Sequence, residues 1–527
     1  MAQPPNWQWA KSATGANAEN GNCITTDVSG NVFVAGYFYS PTIIFGTYTL
    51  TNTGNYDLFI VKYDINGNVL WAKSGGGAFD DVGLSIAADG NGNVYVTGYF
   101  YSPVFTLGTF TLTNNGVGDA FIAKFDGSGN EIWLKNYGGA NEDNGNGICI
   151  NNSGDIFVTG FFRSSTIVFG TYTLTNTGAD DIYIAKLDLS GNTIWAKSAV
   201  GSGVDVGNSV AADNNGNVFI TGFFSSPSIA LDTYSLTNLG GSDIFVAKYD
   251  ALGNTLWAER VGGIYNDKGY SVAADLNGNV ILTGTFFSPS VTLSTFTITN
   301  NGDFDFFVAK YNGSGNVVWA KGEGSSSDDT GYGVVTDLIG DIYVTGHFHS
   351  PSITLGTYTL SNAGIGDLYV LKYDANGNAI WAQSAGGTSD DGSSGIAVDA
   401  SGNVFVTGYY ISSSISFSAT TLLNTGTEDM FVAKLGSSLI TLENENAVVK
   451  NNLLLYPNPS AGLFYLKAKN FEIEKIEIFN QMGLKVYDSN FDKKNEISVD
   501  ISAQPSGFYS LKINTNHGFL TSKIILR

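Results

Sequence analysis

Basic residues are scarce in this 527-residue chain: 25 lysines and arginines stand against 47 acids, and the arginines are Arg163, Arg260 and Arg527. The resulting net charge of −22 repels phosphate backbones and anionic membranes, which argues against nucleic acid as a partner. Cysteine is almost absent. Cys23 and Cys149 lie far apart, in different positions of the repeat described below, and are expected as free buried thiols rather than a bridge. No run of 18 apolar residues occurs, so no helix is expected to span a membrane. The opening Met1-Ala2-Gln3-Pro4 has neither a basic nor an apolar region, so no signal peptide is expected within this numbering. No Gly-x-Ser-x-Gly elbow, Walker loop or His-Glu-x-x-His motif appears, which removes the common signatures of serine hydrolases, P-loop enzymes and zinc proteases.

Glycine, by contrast, is abundant (66 residues), and aromatics reach 13%. That mixture excludes disorder and suits many short strands joined by tight turns. Trp9, Trp71, Trp133, Trp195, Trp257, Trp319 and Trp381 recur at intervals of 62, so seven copies of one unit run from residue 9 to 435. One copy reads Trp195-Ala-Lys-Ser, a loop, Ser209-Val-Ala-Ala-Asp213, a turn, Asn217-Val-Phe-Ile-Thr-Gly-Phe-Phe224, then a longer segment. Asp243-Ile-Phe-Val-Ala-Lys-Tyr-Asp250 and, after another turn, Asn254-Thr-Leu-Trp257 follow. These are four short β-branched and aromatic runs, too short and too glycine-punctuated for helices. The spacing predicts an all-β fold: a seven-bladed β-propeller over 1–435 with four strands per 62-residue blade.

Strand order follows from the links. Asp213-Asn-Asn-Gly216-Asn and Asp250-Ala-Leu-Gly253-Asn are tight turns that join neighbours within a blade, whereas the loop after each Trp is long and crosses to the next blade. The Trp strand is then outermost. The last copy, ending near Leu435, lacks it, and Asn6-Trp7-Gln8-Trp9-Ala10-Lys11 matches Asn68-Val69-Leu70-Trp71-Ala72-Lys73. The N-terminal strand is therefore expected to complete the last blade and latch the ring. The units resemble SBBP-type β-propeller repeats in Gly402-Asn-Val-Phe-Val-Thr-Gly408 and Asp429-Met-Phe-Val-Ala-Lys434. That resemblance implies a fold and no particular activity.

After Leu435 the period stops, and 436–450 reads as a polar linker. Residues 451–527 carry nine basic and seven acidic residues and show strand alternation and turn signals that predict a small β-sandwich. Tyr456-Pro457-Asn458-Pro459-Ser-Ala-Gly462, Asn480-Gln-Met-Gly483-Leu-Lys-Val486, Gly507-Phe-Tyr509 and Lys523-Ile-Ile fall in order. They resemble the type A C-terminal sorting domain of the type IX secretion system of Bacteroidota. The resemblance implies handling by that machinery, passage across the outer membrane, removal of the tail, and release or surface attachment. Such cargo first crosses the inner membrane behind a signal peptide, so the numbering is expected to begin at the mature protein or at a misplaced start.

Three charged columns recur. Ten residues after each landmark Trp stands an acid: Glu19, Asp81, Asp143, Asp205, Asp267, Asp329 and Asp391. A second column, Asp57, Asp119, Asp181, Asp243, Asp305, Asp367 and Asp429, begins each third strand, on the same face. Clustered carboxylates are a possible calcium site, but sevenfold repetition favours a structural role in which each pins its own loop. Lys62, Lys124, Lys186, Lys248, Lys310, Lys372 and Lys434 form the third column; their stems are expected to pack along a blade with the amine at water or a carboxylate. His347 and His349 replace aromatics of other copies, point to one face, and are expected as packing residues rather than metal ligands. The three scattered arginines do not supply the cluster that sialidase-type propellers use on a carboxylate substrate. Between second and third strands each copy carries a small hairpin, such as Ile353–Leu360, expected to crown the long-loop face, with Asp232 and Ser294 replacing the turn glycine. Tyr37, Tyr39, Tyr99 and Tyr101 precede these hairpins; they are candidates for stacking on sugars, with inter-blade core as the competing assignment. The sequence predicts no enzyme. It predicts a secreted or outer-membrane-surface, monomeric binding protein whose long-loop face meets a glycan or a protein; the competing readings are a polysaccharide hydrolase or lyase, and a structural spacer.

Overall fold

The structure is a computed structural model; it describes 4–436 and, in the C-terminal part, 453–457, 460, 462–469, 471–480, 485–505, 507–515 and 518–526. Of the expected linker only Gly436 is therefore described, and Asn458, Pro459 and Gly483 lie outside the described residues. The chain divides into two compact units, Met1–Ser438 and Leu439–Arg527.

In the first unit each 62-residue copy forms an antiparallel sheet of four strands in sequence order. In one copy these are Asp205–Ala212, Val218–Phe224, Asp243–Tyr249 and Thr255–Val261. The turn between the first two is fixed by Asp213, whose carboxylate accepts the Asn215 and Asn217 amides (both 2.9 Å) and the Asn217 side-chain amide (2.6 Å). Gly216 takes a φ of 80°, which only glycine adopts cheaply. The two middle strands are sandwiched on both faces, so Asp243–Tyr249 is buried at every position, with the mixed β-branched and aromatic content a two-sided strand needs.

Seven such sheets occur among the described residues, and the seventh takes its outer strand from the N-terminus: Trp7–Ser12 pairs antiparallel with Asp429–Leu435. Each first strand packs against the next, and Asp391–Val398 packs against Glu19–Thr26, the arrangement of a β-propeller. The cores lie between blades. Phe219, Ile244 and Val246 of one blade pack with Val272, Val280 and Leu282 of the next.

A repeated staple crosses the blade seams. Lys62 Nζ (3.0 Å) and Trp71 Nε1 (3.3 Å) of one blade both donate to the Gly127 carbonyl in a turn of the next. At the closing seam Lys434 (3.3 Å) and Trp9 (3.1 Å) converge in the same way on Ile65. The lysine amine lies over an aromatic of its own blade, as Lys62 Nζ does over Phe33 at 4.7 Å from the ring centroid. Lys62, Lys124, Lys186, Lys248, Lys310 and Lys434 thus reach a backbone carbonyl of the neighbouring blade, a partner beyond the water or carboxylate expected. Lys62, Lys186, Lys310 and Lys372 also meet the expected carboxylate, at Asp27 (3.6 Å), Asp155 (3.0 Å), Asp275 (3.1 Å) and Asp341 (2.8 Å).

The small hairpins do not crown the long-loop face. Ile44 bridges to Thr14 and Ala230 to Val200, each just after the outer strand of the preceding blade, while Tyr48 and Tyr234 donate to Leu70 and Leu256 in the outer strand of their own. Ile43 and Phe45 are buried beneath, so the hairpins run down the outer edge and seal the seams there. Their turn position has positive φ throughout, and Ser418 (53°) joins Asp232 (51°) and Ser294 (55°) in replacing glycine.

The second unit is a β-sandwich. Leu453–Tyr456, Leu463–Ala468 and Glu496–Asp500 form one sheet, and Lys485–Lys494, Ile473–Phe479, Gly507–Thr515 and Gly518–Leu526 the other. Phe464, Leu466, Ile476, Ile478, Val499 and Leu511 are among its core. Pro457 and Asn480 flank strands, the backbone of Lys523 pairs with Ser510, and buried Tyr509 donates to the Pro505 carbonyl at 2.6 Å. Gly462 (φ 116°) bonds through its carbonyl to Ile501 N at 2.9 Å, and a Cβ there would lie 2.3 Å from Ser502 Cα.

Candidate functional site: the long-loop face of the propeller

The acids of the first column open the innermost strands, and every one is fully buried. Each binds the serine that follows its second strand. Ser102 donates to Asp81 (2.7 Å), Ser164 to Asp143 (2.6 Å), Ser226 to Asp205 (2.6 Å), Ser288 to Asp267 (2.7 Å), Ser350 to Asp329 (2.9 Å) and Ser412 to Asp391 (2.7 Å). Ser40 does the same for Glu19. The serine oxygen in turn accepts an amide of the long loop, such as Phe79 N at 2.9 Å. The second column closes its own loop four residues upstream: Asp57 accepts Thr53 N at 2.8 Å, and Asp305 accepts Asn301 N at 2.8 Å.

The columns meet across the seams, each second-column acid beside the first-column acid of the next blade. Burial pushes Asp81 up to about 7 against the pull of its Ser102 bonds, and the nearby Asp57 charge raises it further. Burial likewise lifts Glu19 to about 7, with Ser40 opposing and Asp429 adding. Asp57, Asp119, Asp243, Asp305, Asp367 and Asp429 each keep one buried oxygen without a hydrogen-bond partner, a cost that favours the neutral carboxyl. Among the described residues no three His, Cys, Asp or Glu side chains are placed to hold a metal ion.

Around the loop ends, the departures from the repeat gather into a chain of aromatic and charged groups. His349 Nε2 lies 3.1 Å from Asp390 Oδ1, and Tyr409 donates to Asp390 at 3.2 Å. His347 is buried, its ring 4.7 Å from His349, and burial lowers its pKa to about 4. Asn20 donates to Glu428 at 3.2 Å; Tyr37 and Tyr39 pack on Tyr56 at 4.8 and 5.3 Å. Tyr99 packs on Tyr101 at 5.0 Å, Tyr101 donates to Glu142 at 2.6 Å, and Arg163 ties Glu142 (2.6 Å) to Asp180 (2.7 Å). The tyrosines therefore sit at the face, Tyr39 exposed and the other three half-buried, instead of filling the inter-blade core. Arg260 binds Asp243 at 3.2 Å, Lys268 lies over Phe223 at 4.8 Å, and Glu323 accepts from Tyr373 at 2.7 Å. Sequence reasoning missed Phe79, Glu428 and the acids Asp80, Glu142 and Asp390. These three acids and Asp328 share the position just before the first acid column, acidic in four of the seven copies, a partial pattern that stands out only once the loops are placed.

Fold and face together define an all-β propeller with a decorated loop face and a separate C-terminal β-sandwich. Residues 454–527 match the secretion system C-terminal sorting domain family, a domain that directs export by the type IX secretion system to the cell surface or medium. An uncharacterized WD repeat-containing protein, L264, of Acanthamoeba polyphaga mimivirus is 26% identical over 81% of this chain and 38% of its own length. Regulatory protein FlaEY of Caulobacter vibrioides is 24% identical over 49% of the chain and 29% of its own. The chain thus spans well under half the length of both curated relatives. Among solved structures, the Neurospora crassa Pan2 WD40 domain is similar at 11% identity and a TM-score of 0.30, covering 67% of this chain and 88% of that domain. Sqt1 from Chaetomium thermophilum is similar at 9% identity and a TM-score of 0.31, covering 66% and 82%.

Proposed function

We propose that the propeller is the working part of an exported protein and binds an extracellular glycan or protein through its long-loop face, while the C-terminal domain serves export and is removed or used for attachment afterwards. The observation that carries this reading is where the repeat breaks. Turn aspartates, staple lysines and seam acids recur in nearly every copy, whereas Tyr39, Phe79, Glu142, Arg163, His349 and Asp390 differ from copy to copy and share one face. A repeat keeps what the fold needs and varies where a ligand is met. Binding is favoured over catalysis because two of the face's acids are committed: Glu142 to Tyr101 and Arg163, Asp390 to His349 and Tyr409. Among the described residues of that face, no free acid and base are seen to converge on one point. The resemblance of the copies to SBBP repeats is neutral between ligands.

The test is selective masking of the full chain. Cys23 and Cys149 are half-buried, and desolvation pushes their thiol pKa up, so a cysteine introduced at an exposed site is labelled preferentially. Polyethylene glycol on Ile365→Cys covers the long-loop face, and on Asn66→Cys the opposite, tight-turn face. Retention on an array of extracellular glycans and envelope proteins is expected to be lost with the first label and kept with the second. The reverse pattern would defeat the proposal.

A further inference from the structure

Resting on that reading, we propose that the cleft between the first and second blades on the long-loop face is a subsite for one sugar ring of an uncharged glycan. The cleft has a volume of about 450 Å³ and is lined by Asn55, Phe79, Asp80, Tyr101, Asn114 and Val117. Its size suits one hexose-sized ring with its neighbours projecting into solvent.

One aromatic ring is held in place before any ligand arrives, and the backbone that presents a second is fixed. Phe79 is 51% exposed, yet its backbone is fixed: its amide donates to Ser102 Oγ (2.9 Å), and that hydroxyl donates to buried Asp81 (2.7 Å). The seam acid therefore sets the loop that presents the phenyl ring. Tyr101 is anchored at both ends, its amide to the Asp80 carbonyl (2.8 Å) and its hydroxyl to Glu142 (2.6 Å). Gly118 lets the tyrosine ring lie flat on the loop, since a Cβ there would stand 2.2 Å from two ring carbons. Fixed aromatic surfaces cost little entropy on binding and suit the C–H face of a pyranose.

The polar group is Asp80. The residue is half-buried and lines this cleft, with Oδ1 turned inward, buried and without a hydrogen-bond partner. The part of this carboxylate group that faces the cleft is an acceptor, and a sugar hydroxyl is a donor of the right kind. The charge of the ligand follows from its surroundings. Asp80 and Glu142 are acidic, the nearby Arg163 is already shared by Glu142 and Asp180, and the chain carries −22 overall. A uronate or sulfate would meet repulsion there, whereas a neutral ring would not. The corresponding pair in the fifth copy, Tyr265-Asn266, has the aromatic without the carboxylate.

The experiment measures affinity of the full chain for neutral oligosaccharides of gluco, manno, xylo and galacto configuration, with polygalacturonate and a sulfated glycan alongside. Saturable binding of a neutral member is expected, weakened at least about tenfold by Phe79→Ala and several-fold by Asp80→Asn. Phe287→Ala, exposed on the same face but outside the cleft, is expected to leave affinity unchanged. Unaltered melting temperatures establish that the variants fold. Preference for the acidic glycans overturns the inference. Neutral binding that ignores Phe79→Ala and Asp80→Asn but is blocked by the label at residue 365 also overturns it, and leaves the long-loop reading standing. Binding blocked by neither overturns both. Absence of any glycan binding overturns the cleft and leaves the face to a protein ligand.

Discussion

At the scale of single residues, the seam carboxyls are the chemistry with the clearest consequence. Asp57 and Asp205 are raised to about 6, and Asp81 and Asp305 to about 7, in each case mainly by burial. A carboxyl whose folded pKa exceeds its unfolded value of about 4 binds its proton more tightly in the native state. Its contribution to stability is complete below that unfolded value and disappears as pH rises through about 6 to 7. Thermal melting of the full chain is therefore expected to fall between pH 4 and pH 7, and Asp305→Asn to flatten that slope. A melting temperature that climbs over this window would contradict the pairing. Each acid column is legible in the sequence, because period alone exposes it. The meeting of Asp57 with Asp81 is not, since it depends on how two blades pack. Nor is the contact of His349 with Asp390, 41 residues apart and in successive blades.

At the scale of elements, the staple shared by tryptophan and lysine carries the seams. Trp257 and Lys248 converge on the Gly313 carbonyl at 3.2 and 3.0 Å. Trp257→Phe removes one donor and leaves a smaller ring, for an expected loss of about 1–3 kcal/mol in denaturant unfolding. The regular spacing of tryptophan marked the outer strands. It did not reveal that the indoles of Trp9, Trp71, Trp133, Trp195, Trp257 and Trp319 each reach 56 residues ahead into the next blade. The small hairpins, expected at the loop face, lie on the outer edge because Ile43 and Phe45 have apolar inner faces that only the blade flank can bury. In the export domain, Gly462 holds a left-handed φ against the Ser502 backbone. Gly462→Ala is expected to destabilise that domain and leave the protein unexported, read by fractionating cells from medium, with the propeller's melting unchanged.

At the scale of the whole molecule, the ring depends on its N-terminal strand. Without Trp7–Ser12, the strand Asp429–Leu435 would present an unpaired edge, and the closing seam would lose one of the two bonds on Ile65. Deleting residues 1–12 is expected to replace one cooperative unfolding transition with a broader one and to promote aggregation, seen by calorimetry and light scattering. The latch was legible because the match of Asn6–Lys11 to Asn68–Lys73 supplied the strand the last copy lacked. The loop face was legible only as a direction. Its working residues depart from the repeat, and a departure gains meaning only when the fold gathers it beside others.

Hydrogen exchange of the full chain, with and without the glycan or envelope protein it retains, tests the central claim most directly. Slowed exchange is expected in the long-loop segments 77–80, 101–104 and 114–118 and their counterparts in neighbouring blades, with the tight turns 27–31 and 64–68 unaffected. Protection confined to those turns would contradict a ligand-binding long-loop face.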